Sequence, residues 1–84
     1  MNRYLVIAIR RAQFDAAVVP LHKQFLDDLR ARGRVELSGP FADQSGGAYL
    51  MTADDMAHAQ TTAHADPAYA SGGWDITLYA WAAR

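Results

Sequence analysis

The apolar positions of this chain change period several times, and each change marks a new element. From Arg3 to Ile9 the run is β-branched and apolar on both alternating sets, Tyr4, Val6, Ala8 and Leu5, Ile7, Ile9. That pattern predicts a strand with two apolar faces, closed by Arg10 and Arg11. Val18, His22, Phe25, Leu26 and Leu29 then recur at helical spacing. Pro20 belongs in the first turn of this helix, where its missing N–H costs little, and Asp15 is suited to cap it. Arg30 and Arg32 suit the negative end of the helix dipole, and Gly33 a left-handed stop.

Val35 to Phe41 reads as a second strand, bulged at Gly39-Pro40 because proline cannot donate to the ladder. Ala42 to Gly47 predicts a hairpin loop and Ala48 to Met51 a third strand. Thr52 opens an alanine-rich helix with Asp54 and Asp55 in its first turn, ending near Ala65 ahead of Pro67. After the Ser71-Gly72-Gly73 turn, Trp74 to Trp81 alternates as a fourth strand. The order βαββαβ is the ferredoxin-like α+β plan: a four-stranded antiparallel sheet with two helices on one face. Strands 1 and 4 are apolar or aromatic on both faces, yet helices cover only one. The expectation is therefore a homodimer with two sheets packed face to face, a dimeric α+β barrel.

Length and composition narrow the function classes. At 84 residues the chain is one domain, 1–84. It has no cysteine, which excludes disulfides, thiolate metal ligands and a thiol nucleophile. A formal charge of −1 supplies no basic field for nucleic acid. The opening apolar run is too short for a membrane span or a signal-peptide core, so the reading is a soluble cytoplasmic protein.

Two residues carry most of the candidate chemistry. His22, on the apolar side of the first helix, is either a core-edge histidine satisfied by a backbone carbonyl or a general base. Asp66 precedes Pro67 and reads first as the N-cap of a short turn over Pro67 to Ser71, a role compatible with a second one. In this topology the segment after the second helix must fold back by several ångströms to bring Asp66 level with His22. His58 and His64, six apart, point to different helix faces and cannot form a helical zinc pair, so no metal is expected. Neither double glycine has the setting of a phosphate loop. Ser38, with no base adjacent in sequence, is a pocket-wall contact or simply a strand residue.

Taken in order, His22, the helix-ending Gly33, Ser38-Gly39-Pro40, Gly46-Gly47 and Asp66-Pro67-Ala68-Tyr69 resemble the YciI-like (YCII-related) proteins over nearly the whole chain. The resemblance implies a ferredoxin-like dimer and an active site built on a His-Asp dyad, which maps onto His22 and Asp66. One departure stands out: the family carries a bulky aromatic directly after Asp-Pro, whereas this chain has Ala68 and then Tyr69. The expected function is cofactor-independent proton transfer, an elimination or isomerisation, on a small organic substrate. In it His22 is the base, Asp66 orients it, and Ser38, Gly39, Pro40 and Tyr69 contact substrate. A non-catalytic ligand-binding or dimerisation module of the same fold is the alternative, and a cofactor-free oxygenase shares the fold.

Overall fold

The computed structural model of the chain describes residues 2–84. Its elements are β1 (Asn2–Arg10), α1 (Val19–Ala31), β2 (Val35–Pro40), β3 (Gly46–Ala53), α2 (Met56–His64), a short α3 (Pro67–Ala70) and β4 (Trp74–Ala80). The sheet order is β2-β3-β1-β4 with every neighbouring pair antiparallel. This is the ferredoxin-like α+β arrangement expected from the sequence, with the helices on one face. Among the described residues no helix is long and apolar enough to cross a membrane.

Several boundaries move for local reasons. Asp15 caps not α1 itself but a 3-10 turn, Ala16–Val18, through a 2.9 Å bond from the Ala17 N–H. The α-helix follows at Val19 with Pro20 in its first turn. The β2 bulge lies at Glu36, between Val35 and Leu37, while Gly39 and Pro40 stay in register with Ala48 and Gly47. An edge strand such as β2 tolerates proline without a bulge. Thr52 does not open a helix. It extends β3, paired with Arg3, and its N–H donates to the Arg34 carbonyl at 2.9 Å. α2 starts at Met56, capped by the Asp55 carboxylate, which accepts from the His58 N–H at 2.8 Å.

Strand alternation sorts the sheet into two faces. The helix-side set of β1 and β3 (Tyr4, Val6, Tyr49, Met51) packs with Leu26 and Leu29 of α1 and Ala59 and Ala63 of α2. A second, smaller cluster at the other end joins Ala8, Ala68 and Trp74, flanked by Phe14, Val18 and Val19. Among the described residues the opposite face of the sheet carries no helix. Leu37, Tyr79 and Trp81 are 68%, 54% and 49% exposed there.

Tyr49 is a core residue with an uncompensated polar tip. Its hydroxyl is buried and has no hydrogen-bond partner among the described residues. Burial, and after it the negative charge of Asp66, push the phenol well above its ordinary range. It stays neutral at physiological pH.

A Cβ at Gly46 would lie 1.9 Å from the backbone carbonyl oxygen of Ala8, whereas one at Gly33 meets nothing within 4 Å and faces only its φ of +73°. Gly33→Ala should therefore cost about 1–2 kcal/mol, and Gly46→Ala about 3 kcal/mol or more, read from urea midpoints. Because the folded-state pKa of Tyr49 is raised, its neutral form contributes stability that is complete below about pH 10, the ordinary value, and is lost as pH rises further. Tyr49→Phe should flatten the alkaline limb of a stability-versus-pH curve and leave the neutral region without that extra slope.

Candidate functional site

The first turns of α1 place His22 between the two clusters. Starting the helix at Val19 puts His22 only about 4.5 Å along its axis. α2 starts at the far end of the sheet, where Ala53 pairs with Asn2, and runs toward the end where α1 begins, since β4 then starts opposite Arg10. The expected fold-back is therefore not needed: antiparallel β1 and β3 start the two helices at opposite ends of the sheet, and where α2 ends the chain turns into α3, which packs against α1. Asp66 stands at this turn with an extended backbone (φ −64°, ψ 130°), the conformation that a following proline enforces. Its Oδ1 caps α3 by accepting from the Ala68 N–H at 2.9 Å. Its Oδ2 lies 2.7 Å from Nδ1 of His22. The cap and the histidine contact thus occupy different oxygens of one carboxylate.

Burial decides what this contact is. The Asp66 side chain is 0% exposed and that of His22 23% exposed. An ionised carboxylate only accepts hydrogen bonds, so Nδ1 carries the proton and donates. The opposite ring nitrogen, Nε2, has no protein partner among the described residues. In the neutral imidazole it holds the free lone pair.

The His22 ring borders a cavity of about 310 Å³ between α1 and one end of the sheet. Its roof is α1, from Val19 through His22, Lys23 and Leu26 to Asp27. Its floor comes from Ala8 and Arg10 of β1, Ser38–Pro40 of β2, Gly46–Tyr49 of β3, and Trp74. The small side chains at the strand ends make the room. Where Tyr4, Met51 and Leu29 fill the other half of the helix–sheet interface, Ala8 and its partner Gly47 leave it open.

Of the residues singled out from the sequence, His22 and Asp66 come together, and Ser38, Gly39 and Pro40 line the cavity beside them. The Ser38 hydroxyl accepts from the Arg30 guanidinium at 2.6 Å, so Arg30 braces the β2 wall against α1. Tyr69 does not reach the cavity. It is 42% exposed, and its ring stacks on His64 with centroids 4.1 Å apart. The physical reason is helical phase: Ala68, one position earlier, takes the inward place against Ala8 and Trp74, and the next residue turns about 100° away. His58 accepts at Nδ1 from the Asp54 N–H at 3.2 Å. Among the described residues no three His, Asp or Glu side chains are grouped to hold a metal ion.

Sequence reasoning missed Tyr49, Arg10 and Lys23. Tyr49 occupies a core position in β3, where an aromatic at period two reads as packing. Its ring lies 6.4 Å from that of His22, between centroids. The available signal was its phenol, a polar tip placed two residues past a glycine pair. Arg10 reads as a strand terminator, and only its even-numbered phase with Tyr4, Val6 and Ala8 hints that it turns inward.

Comparison with known proteins agrees with this architecture. The chain is 41% identical over 81 residues, covering 96% of it and 95% of the relative, to the uncharacterized protein YjpA of Bacillus subtilis (strain 168). A solved structure of similar fold is the 5-chloro-2-hydroxyhydroquinone dehydrochlorinase TftG of Burkholderia phenoliruptrix AC1100, in complex with 2,5-dihydroxybenzoquinone. It aligns with a TM-score of 0.73 at 17% identity, over 94% of this chain and 92% of that one. Residues 2–81 match the model of the YCII-related domain, and the chain belongs to that family.

Proposed function

We propose that this protein is a small-molecule enzyme performing acid/base chemistry, an elimination or isomerisation, through His22 and Asp66. The observation that carries this reading is the 2.7 Å contact between Nδ1 of a cavity-lining histidine and a fully buried carboxylate. Asp66 fixes the tautomer and ring orientation, leaving Nε2 as the base. It also stabilises the imidazolium formed when Nε2 takes a proton from a C–H or O–H of the substrate. In an elimination the electron pair left behind expels a leaving group with its bonding electrons. In an isomerisation the imidazolium returns the proton to another atom. The likeness in fold to a dehydrochlorinase supports this reaction class. The substrate would be a single-ring molecule, because about 310 Å³ is at the small end of ligand pockets.

A second reading rests on the cap. Because Asp66 also ties α3 to α1, the pair could serve only as a staple in a ligand-binding module without turnover. Activity separates the two. Chloride release or isomer formation on a panel of ring-chlorinated hydroquinones and hydroxybenzoates and their unchlorinated analogues should fall about 10²–10⁴-fold in His22→Gln. That variant keeps an N–H donor for Asp66 and should melt near the parent temperature, whereas His22→Ala leaves a buried carboxylate short of a partner, at a cost of about 1–3 kcal/mol or more. Asp66→Asn retains an oxygen for the Ala68 N–H but turns a donor toward Nδ1, and should lose turnover to a similar degree. Turnover by His22→Gln equal to the parent would sink the enzyme reading.

We further propose that the uncovered sheet face pairs with a second copy of the chain. Its partly exposed apolar set, Leu5, Ile7, Leu37, Tyr79 and Trp81, is a contiguous patch of the kind that marks an interface. The Arg3–Glu36 ion pair, at 2.9 Å, borders it. Light scattering should give twice the chain mass for the parent protein. The doubly substituted Leu37→Asp, Tyr79→Asp protein should give a folded monomer; a parent protein of single-chain mass would end this part of the proposal.

A further inference from the structure

Arg10 is the last residue of β1, and the strand's alternation turns it to the helix side, into the wall of the cavity. Its situation differs from that of the arginines around it. Arg3 pairs with Glu36 and Arg11 with Asp75, each near solvent. The Arg10 guanidinium has no carboxylate within ion-pair distance among the described residues. Its Nε is buried without a hydrogen-bond partner. It lies over the Phe14 ring, 4.1 Å from guanidinium carbon to centroid. That stacking holds the plane of the fork but satisfies none of its N–H groups in the way an acceptor would.

A permanently charged donor set with an unfilled buried position needs an acceptor, and no side chain among the described residues supplies one. The other charges on the cavity do not change this account. Lys23 and Asp27 sit four residues apart on α1 and largely offset each other in the field they set up. Asp66 is committed to His22 and Ala68. Tyr49 is a neutral phenol, a donor rather than a counter-ion. The cavity therefore presents one unmatched positive charge.

We infer that Arg10 is the anchor for an anionic group of the ligand, and that the substrate class is a single-ring carboxylate rather than a neutral ring. The fork of a guanidinium matches the two oxygens of a carboxylate. This inference rests on the cavity being the ligand site proposed above, and it holds whether or not His22 performs turnover there. Arg10 is a specificity-determining residue on this account, with no part in the proton transfer.

The test is binding, read by calorimetry and by NMR shifts of the His22 ring at pH 7.5. Benzoate and 2,5-dihydroxybenzoate serve as probes against their methyl esters, which differ only in the charged group. The parent protein should bind the acids about tenfold or more tighter than the esters. Arg10→Gln should reduce that preference to near unity, and Arg10→Lys should retain part of it. Lys23→Gln should change it little. Equal binding of acids and esters, no binding of either acid, or an acid preference that survives in folded Arg10→Gln would each overturn the inference. Circular dichroism melting identifies a variant that has lost its fold, and Arg10→Lys then carries the comparison. His22→Gln should keep the acid preference. An acid preference without any turnover in the parent would remove the enzyme reading and leave the anion site standing.

Discussion

The buried carboxylate of Asp66 organises the rest of this small domain. A charge withdrawn from water is tolerated only where its lone pairs are met by donors. Here one oxygen is met by a backbone N–H of the turn that Asp66 itself starts, and the other by a ring nitrogen on a different helix. The two bonds draw α3 against α1, so the segment after α2 has one place to go. That segment also delivers Ala68 to the small cluster with Ala8 and Trp74, which closes the end of the sheet beside the cavity. A residue that looks at first like a local cap is thus a long-range tie, spanning 44 positions of sequence.

The cavity arises from a graded interface rather than from a special loop. α1 lies across the sheet, and the residues beneath it shrink from Tyr4, Met51 and Tyr49 at one end to Ala8 and Gly47 at the other. Large side chains hold the helix at a height that small ones cannot fill. The glycines are required there by a separate constraint. The Ala8 carbonyl approaches Gly46, and the Gly39 carbonyl would come within 2.6 Å of a Cβ at Gly47. Close strand approach and an open floor are therefore the same feature, and filling the floor by substitution would push the strands apart.

Much of this was legible in the residues. The alternation of Tyr4, Val6 and Ala8 against Leu5, Ile7 and Ile9 specified the strand and its two apolar faces, because period two depends only on backbone geometry. Pro20 and Gly33 bracketed α1, and Asp66-Pro67 marked a capped turn. What failed depended on contacts between distant elements. Thr52 carries a helix-opening residue type, yet β1 pairs with it and prolongs β3. The bulge moved to Glu36, a position with no turn residue, where β2 meets Arg3 through an ion pair. The motif that contains Tyr69 points to the cavity, but its neighbour faces inward instead. Which of two adjacent residues faces inward on a one-turn helix depends on phase, and Ala68 takes that place. Arg10 looks like no more than a strand end in the sequence, since nothing in a single sequence says that its neighbours lack a carboxylate.

Requiring one side chain to cap a turn and to hold a histidine restricts what can stand at position 66. Asparagine supplies a cap oxygen but offers N–H groups to Nδ1, which would then need its own lone pair there and carry the proton on Nε2. Glutamate has the charge, but its extra methylene carries the carboxylate beyond the short reach of an N-cap. Serine caps but cannot balance an imidazolium. Only aspartate gives an acceptor at both sites with the backbone held extended by the next proline. That combination keeps the ring orientation independent of ligand, because the carboxylate is already immobilised by the turn before anything enters the cavity. Preorganisation of this kind is what a proton-transfer site needs, and here it follows from helix capping, the most local of structural devices.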